Sequence, residues 1–161
     1  MRILGIDPGT RVCGYGVIEV TGPDARALDY GVVRCDDASL ARRLHAIHGG
    51  LCTVIGRFRP DVAALEGAFF GKNARSALKI GEGRGVALLA AAAGGIEVVE
   101  YAPAEVKKAV VGNGRAHKSQ VQQMVRILLN LAEVPQPEDA ADALAIALCH
   151  AHRLPPEAAR Y

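Results

Sequence analysis

The chain has 161 residues, of which half are apolar and only 4% aromatic, and its formal net charge is +2. This length predicts a single domain with a core of its own, and so small a charge does not by itself indicate a nucleic-acid partner. The sequence has no run of about 18 uncharged apolar residues, which argues against a membrane-spanning helix, and its first residues lack the basic-then-apolar layout of a signal peptide. Four scattered cysteines without Cys-x-x-Cys spacing are typical of reduced thiols, so we expect a cytoplasmic protein without disulfides or zinc.

Hydrophobic periodicity predicts three consecutive strands followed by alternating helices and strands. Short turns between the first three strands favour an antiparallel meander, and the strand–helix–strand units after it favour parallel additions. The predicted elements are, in chain order, strands over 2–7, Val12–Val20 and Arg26–Arg34, a helix after the N-cap Ser39, a strand over Val62–Leu65, a helix over Arg75–Ala93, a strand over Ile96–Val99, a short helix near Pro103, and helices over Ser119–Leu129 and from Pro137 to about His152. We therefore predict an α/β fold with a five-stranded mixed β-sheet flanked by α-helices. One domain should span residues 1–153, followed by a short tail over 154–161.

Four carboxylates stand where a buried strand ends or a helix begins. Asp7 closes the first apolar strand and Glu66 the fourth, and neighbouring strand ends of a mixed sheet can bring the two together. Asp139 and Asp142 are three residues apart at the start of an alanine-rich helix and therefore share one face. Hard carboxylate oxygens are the ligands that Mg²⁺ prefers, and sites of this kind hold two ions about 4 Å apart for in-line displacement at phosphorus. The pattern predicts a divalent-metal site for phosphoryl chemistry.

Each acid also has a purely structural explanation. Asp7 can stabilise the turn that follows it, Asp139 can interact favourably with the helix dipole, and Glu66 can be a solvated strand end. Asp142 is harder to explain in this way, because alanines, a leucine and an isoleucine surround it in the sequence. The metal hypothesis accounts for all four acids at once. Glu138 is a neighbouring acid that could replace one of them, although we expect it to lie off the face that Asp139 and Asp142 share.

Several short motifs along the chain match one known family. They are, in order, Gly5-Ile6-Asp7-Pro8-Gly9-Thr10-Arg11, Tyr15-Gly16-Val17-Ile18, Lys72-Asn73, Ser76-Ala77-Leu78-Lys79, Val110-Val111-Gly112, Lys118-Ser119-Gln120-Val121 and Asp139-Ala140-Ala141-Asp142-Ala143-Leu144-Ala145-Ile146-Ala147. In this order they resemble the RuvC family, the bacterial Holliday-junction resolvases of the ribonuclease-H-like superfamily. The similarity extends from residue 2 to about residue 152 and is highly specific. The chain departs from the family at Gly67-Ala68, where relatives often carry larger residues, and in its tail, which is more basic in some relatives.

The resemblance implies a ribonuclease-H-like fold and an endodeoxyribonuclease that resolves Holliday junctions by paired symmetric nicks in recombination and DNA repair. It implies that the four acids are catalytic and hold metal: Asp7, Glu66, Asp139 and Asp142. The implied cofactor is Mg²⁺, with two ions in each active site and Mn²⁺ as a substitute. The implied partners are four-way junction DNA, a second copy of the chain, and the RuvA–RuvB branch-migration complex.

The segment after Glu66 carries two adjacent aromatics, Phe69 and Phe70, in a chain with only three phenylalanines. Both can simply cap the core. Alternatively, an aromatic ring beside a cleavage site can stack on bases or wedge between them. By resemblance, Phe69 has the DNA-contacting role and Phe70 packs.

Basic residues form two clusters in the sequence, one from Lys72 to Arg84 and the other from Lys107 to Lys118. Such runs are usually solvated surfaces. Beside an acidic phosphoryl site they also fit contacts to the DNA backbone, which position DNA without reading its sequence. By resemblance Lys107 and Lys118 are the strongest DNA-binding candidates. The other candidates are Lys72, Arg75 and Arg115.

Three glycines between Gly81 and Gly85 interrupt the second predicted helix, and each costs about 1 kcal/mol relative to alanine. Close packing against another backbone would compensate, either from the chain's own sheet or from a second subunit. The resemblance favours a subunit interface, to which Val86, Leu88 and Leu89 would add apolar area. Two symmetric nicks also require two active sites related by a two-fold axis.

Other functions compete with the resolvase. The first motif also looks like the phosphate loop of ATP-binding actin-like proteins, but those proteins need two such domains and a much longer chain. A non-catalytic junction-binding module has no need of the complete set of four acids. The related nuclease-like family YqgF shares the fold but matches the middle segments less well. We therefore predict the resolvase.

Overall fold

The computed structural model describes residues 1–67 and 74–155, with only the backbone at 74 and 75. Its elements are, in chain order, β1 (Arg2–Asp7), β2 (Val12–Thr21), β3 (Asp24–Arg34), α1 (Leu40–Phe58), β4 (Val62–Glu66), α2 (Ala74–Ala93), β5 (Glu97–Tyr101), α3 (Pro103–Val111), α4 (Lys118–Leu128) and α5 (Glu138–Ala151). The predicted order of elements is confirmed. Across the two described ranges, every helix is too short or too polar to cross a lipid bilayer. All four cysteines are unbridged, as predicted.

The five strands form one mixed sheet in the order β3-β2-β1-β4-β5. The first three strands are antiparallel neighbours, and β4 and β5 add parallel to β1. In the pairing of β1 with β4, Ile6 lies opposite Leu65, and the next residues along the two strands are Asp7 and Glu66. The topology thus places the two strand-ending acids side by side at one edge of the sheet.

Helix α5 lies directly on β1 and β2 because glycines remove the side chains that would separate them. A Cβ at Gly5 would overlap the carbonyl oxygen of Ala143, and one at Gly14 would overlap the carbonyl oxygen of Asp139. Gly14 pairs with Asp7 across the β1–β2 ladder. The start of α5 is therefore held against the end of β1 by backbone contact.

Almost the whole of α5 is buried. From Ala140 to Cys149 every residue except Asp142 belongs to the core. This burial is far more than a surface helix needs, so α5 acts as the central helix of one face. Helices α1 and α2 cover the other face, where Ile47, Leu51 and Ala87 pack against the sheet.

Strand β5 begins one residue later and ends two residues later than its apolar run predicts. The amide of Ile96 donates to the carbonyl oxygen of Ala91 at 3.0 Å, so it completes the end of α2. At the other end, Tyr101 pairs with Glu66 and accepts a hydrogen bond from the Gly67 amide at 2.8 Å. These backbone hydrogen bonds, which sequence periodicity does not report, set the boundaries of the strand.

Candidate active site

The four predicted acids meet where β1, β4 and α5 end or begin. Burial and, after it, the negative charges of Asp142, Glu66 and Asp139 together raise the pKa of Asp7 to about 7. Burial also raises the pKa of Glu66, again with help from Asp142. Acids that shift one another in this way lie within electrostatic reach. The structure therefore brings all four together.

Lysine side chains supply the opposing charge. The ammonium of Lys118 lies 2.8 Å from Asp142 Oδ2 and 3.1 Å from Glu138 Oε2. Burial raises the pKa of Asp142, and this ion pair with Lys118 lowers it. The positive charges of Lys107 and Lys118 lower the pKa of Glu66 from a distance, although burial keeps it above its ordinary value. The acids are thus only partly neutralised by the protein itself.

A cleft of about 260 Å³ opens beside these groups. Its polar lining comes from Glu66, Lys107, Lys118 and Asp142, and its apolar lining is made by Pro103, Val106, Val121, Ala145 and Ile146. Helix α3 brings Lys107, and Lys118 is the first residue of α4, whose N-cap is His117. The cleft therefore combines hard oxygen donors with two cations.

The chemistry of this donor set fits hard divalent cations. Carboxylate oxygens are their preferred ligands, and Asp7 is only partly ionised at neutral pH because burial, and then its negative neighbours, raise its pKa to about 7. Within residues 1–67 and 74–155, no three acid, histidine or cysteine side chains are placed so that they could hold a metal ion without rearranging. The ammonium of Lys118 instead occupies one oxygen of Asp142.

The other sequence candidates have different positions. Arg115 is exposed in the turn between α3 and α4, where its amide donates to Asn113 Oδ1 at 2.9 Å. Arg84, part of the first basic cluster, pairs with Glu100 at 2.9 Å. Two candidates, Phe69 and Lys72, lie outside the described residues, as does the side chain of Arg75.

Glu138 was expected to lie off the face of the acid pair, and the contact with Lys118 corrects that expectation. Glu138 and Asp142 are four residues apart, so both side chains project from neighbouring positions on α5. Lys118 bridges them. The i, i+4 spacing in the sequence could have indicated that Glu138 lies beside Asp142. The position of Lys118, which contacts both, is visible only in the structure.

Along most of its length the chain is similar to known proteins of one family. The family model described as crossover junction endodeoxyribonuclease RuvC matches residues 3–150. The chain is 56% identical to crossover junction endodeoxyribonuclease RuvC of Heliobacterium modesticaldum over 96% of both chains. It is 54% identical to the protein of that name from Paracoccus denitrificans, over 99% of this chain and 97% of the relative. Among solved structures, Thermus thermophilus RuvC in complex with Holliday junction substrate superimposes with a TM-score of 0.89 and 43% identity, covering 94% of this chain and 93% of that one.

The raised pKa of Asp7 predicts that the metal-free protein loses stability as the pH rises. Its folded-state pKa of about 7 lies above the ordinary 3.8, so Asp7 favours folding most at pH below 3.8, and this contribution is lost as the pH rises through 7. In EDTA, the melting temperature should fall between pH 5 and pH 8. Asp7→Asn should flatten this dependence and stabilise the protein at pH 8 by about 2 kcal/mol. Adding Mg²⁺ at pH 8 should stabilise the wild type more than the variant.

Asp24→Asn is the matched control, because Asp24 is exposed at the opposite end of the sheet. Its melting curves should follow the wild type at every pH. Equal pH dependence in wild type and Asp7→Asn would show that Asp7 is not electrostatically strained.

Proposed function

The chain belongs to the family of crossover junction endodeoxyribonucleases RuvC, and from this membership we propose that it resolves four-way DNA junctions by two symmetric nicks. The observation that carries the proposal is the meeting of four acids within electrostatic reach of one another, beside a cleft that two of them, Glu66 and Asp142, line together with two lysines. Junction DNA as the substrate is supported by the Thermus thermophilus relative, whose structure holds a Holliday junction. This activity places the protein in recombination and DNA repair.

Enzymes of this family depend on divalent metal, and we assign the ligands to Asp7, Glu66, Asp139 and Asp142. Two Mg²⁺ ions in each site, replaceable by Mn²⁺, would activate a water and stabilise the leaving oxygen. The acids project from two strand ends and one helix, so the fold orients them before any ligand arrives. Such pre-orientation reduces the reorganisation that the reaction requires.

Lys107 and Lys118 are proposed to hold the phosphodiester backbone in the cleft. Lys107 lines the cleft beside Glu66, and Lys118 lies at its rim on the first turn of α4. A phosphate that binds between them would lose hydrating water and gain contacts with two ammonium groups. These contacts position the strand, and they carry no sequence information. Arg115, Lys72 and Arg75 are proposed as outer contacts of the same kind.

Removing one acid should separate binding from cleavage. Asp7→Asn, Glu66→Gln, Asp139→Asn and Asp142→Asn should each lower the rate on a synthetic four-way junction by at least about 100-fold, since each removes charge and a ligand. Junction affinity should persist, because cations make the phosphate contacts. Gel-shift and single-turnover assays with Mg²⁺ measure the two quantities. Asp24→Asn is again the control, and a near-wild-type rate for any of the four would remove that acid from the site.

Phe69 is proposed to open base pairs beside the scissile phosphate, a role that rests on family resemblance. Phe69→Ala should cut a fully paired junction poorly, because unstacking costs a few kcal/mol per step. A junction with unpaired bases at the crossover should restore much of the rate. If the variant cuts both junctions equally slowly, Phe69 is a packing residue.

A homodimer is proposed to form through one face of α2. Gly83 packs inside the chain, since a Cβ there would lie 3.0 Å from the carbonyl carbon of Gly9, and Val86 and Leu88 are partly buried against the core. Another face carries residues at helical spacing that meet little of their own chain. They are Leu78, 64% exposed, Gly81 and Gly85, whose added Cβ would find open space, and Leu89, 60% exposed.

Small residues between exposed leucines permit close approach of a second helix, and a two-fold axis would pair identical faces. Such a dimer presents two acid clefts to one junction. Residues 1–153 are proposed to form the nuclease domain of each subunit, with 154–161 as a short tail. We further propose a cytoplasmic location and, from the resemblance, cooperation with the RuvA–RuvB complex.

Gly85→Leu should convert the dimer into a monomer without unfolding it. The new side chain meets open space in its own chain but would enter the subunit interface. Sedimentation velocity measures the change, and the monomer should nick single strands without coordinated resolution. Gly49→Leu is the control, because Gly49 is an exposed glycine of α1 with equally open surroundings. An undisturbed Gly85→Leu dimer would place the interface elsewhere.

A further inference from the structure

A third group of cations lies at the active-site edge of the sheet, although its members are spread along the sequence. Arg11 follows β1, Arg34 ends β3, and Arg42 is in the first turn of α1. All three are exposed. We call these three residues the arginine face.

Strand register fixes the distance of this face from the acids. Asp7 pairs with Gly14, Gly14 pairs with Val32, and Arg34 lies two residues further along β3. Two strand spacings of about 4.8 Å and two residues of about 3.4 Å place the backbone of Arg34 about 12 Å from that of Asp7. The face lies on the β2–β3 side of the acids. Lys107 and Lys118 come from α3 and α4, which follow β5 at the opposite end of the strand order.

The backbone beneath the arginine face is held in place. The Cys35 amide donates to the carbonyl oxygen of Arg11 at 2.9 Å and so joins the ends of β2 and β3. Arg43, which points inward, donates from Nε to the carbonyl oxygen of Thr10 at 3.1 Å and from Nη1 to that of Asp37 at 2.8 Å. These hydrogen bonds therefore fix the backbone that carries the exposed arginines.

The charge of this surface is only partly balanced. Arg42 pairs with Asp37 at 2.9 Å, and Arg11 lies 4.0 Å from Asp36, both in exposed pairs that solvent weakens. Within the described part of the chain, the guanidinium of Arg34 has no hydrogen-bond or ion-pair partner. With Arg43 included, this surface carries four arginines and only two aspartates, so positive charge is in excess.

We propose that Arg11, Arg34 and Arg42 form a second phosphate-contact surface, which holds a junction arm on the side of the acids opposite Lys107 and Lys118. The inference rests on the proposed function and adds the path of the DNA. A DNA strand carries one phosphate per 3.4 Å of rise, so the distance of about 12 Å from Asp7 to Arg34 places this contact about three to four nucleotides from the cut. The protein would thus contact the DNA on both sides of the bond that is cut. Together the two contacts would fix the direction in which the DNA strand crosses the end of the sheet where the acids lie.

The salt dependence of junction binding tests this surface. Affinity for a synthetic four-way junction is measured between 50 and 200 mM NaCl in EDTA, so that no cleavage occurs. Arg34→Gln should weaken binding about threefold to tenfold and reduce the slope of log affinity against log salt by about 0.9, the value for one lost phosphate contact. Replacing all three arginines by glutamine should reduce the slope by about two to three. Lys107→Gln provides the reference for a contact on the other side.

Arg26→Gln is the matched control, because Arg26 is exposed on the same strand at its far end, paired across the ladder with Glu19. It should bind as the wild type does. Arg34→Glu is a second variant and should weaken binding more than Arg34→Gln, with the melting temperature of each reported alongside. Arginine-face variants that match Arg26→Gln in affinity and slope, while the wild type binds and cleaves the junction, would overturn this inference alone. Failure of the wild type to bind a junction would overturn the proposed function and the inference together.

Discussion

The contact between the backbone of α5 and the glycines of β1 and β2 determines the geometry of everything else. Gly5 and Gly14 let the helix rest against the strands without intervening side chains. Packing of backbone on backbone leaves no rotamer that could adjust the spacing. The carboxylates of α5 therefore occupy a fixed height above the end of β1, and a one-residue slip of the helix would carry them away from Asp7.

This contact also explains why the acids can be crowded at all. Four carboxylates in one place are unfavourable, and the pKa values of Asp7, Glu66 and Asp142 are raised first by burial and then by the neighbouring negative charges. A buried alanine-rich helix and a five-stranded sheet supply the stability that holds the acids together. Protons, lysine ammonium groups or metal ions relieve this repulsion, so the fold maintains an affinity for positive charge at the proposed site of phosphate chemistry.

The sequence predicted the fold and the acids because both depend on local signals. A strand that ends in Asp7 or Glu66 is visible as an apolar run closed by an acid, and the parallel placement of β4 then brings the ends together. The arginine face could not be predicted in this way, since Arg11, Arg34 and Arg42 meet only through strand register. Periodicity likewise could not tell which glycines of α2 pack within the chain. Only the tertiary structure separates Gly83, which contacts Gly9, from the open positions.

The ion pair between Lys118 and Asp142 makes the free protein its own competitor for metal. With Asp142 as the proposed metal ligand, a divalent ion would compete with the Lys118 ammonium for the same carboxylate oxygen, so metal binding would include the work of detaching Lys118. Glu138 keeps the detached ammonium near the cleft. A DNA phosphate that engages Lys118 removes the competitor, and thermodynamic reciprocity then requires metal to strengthen DNA binding by the same factor. With these proposed roles, substrate and cofactor would be coupled through a single lysine.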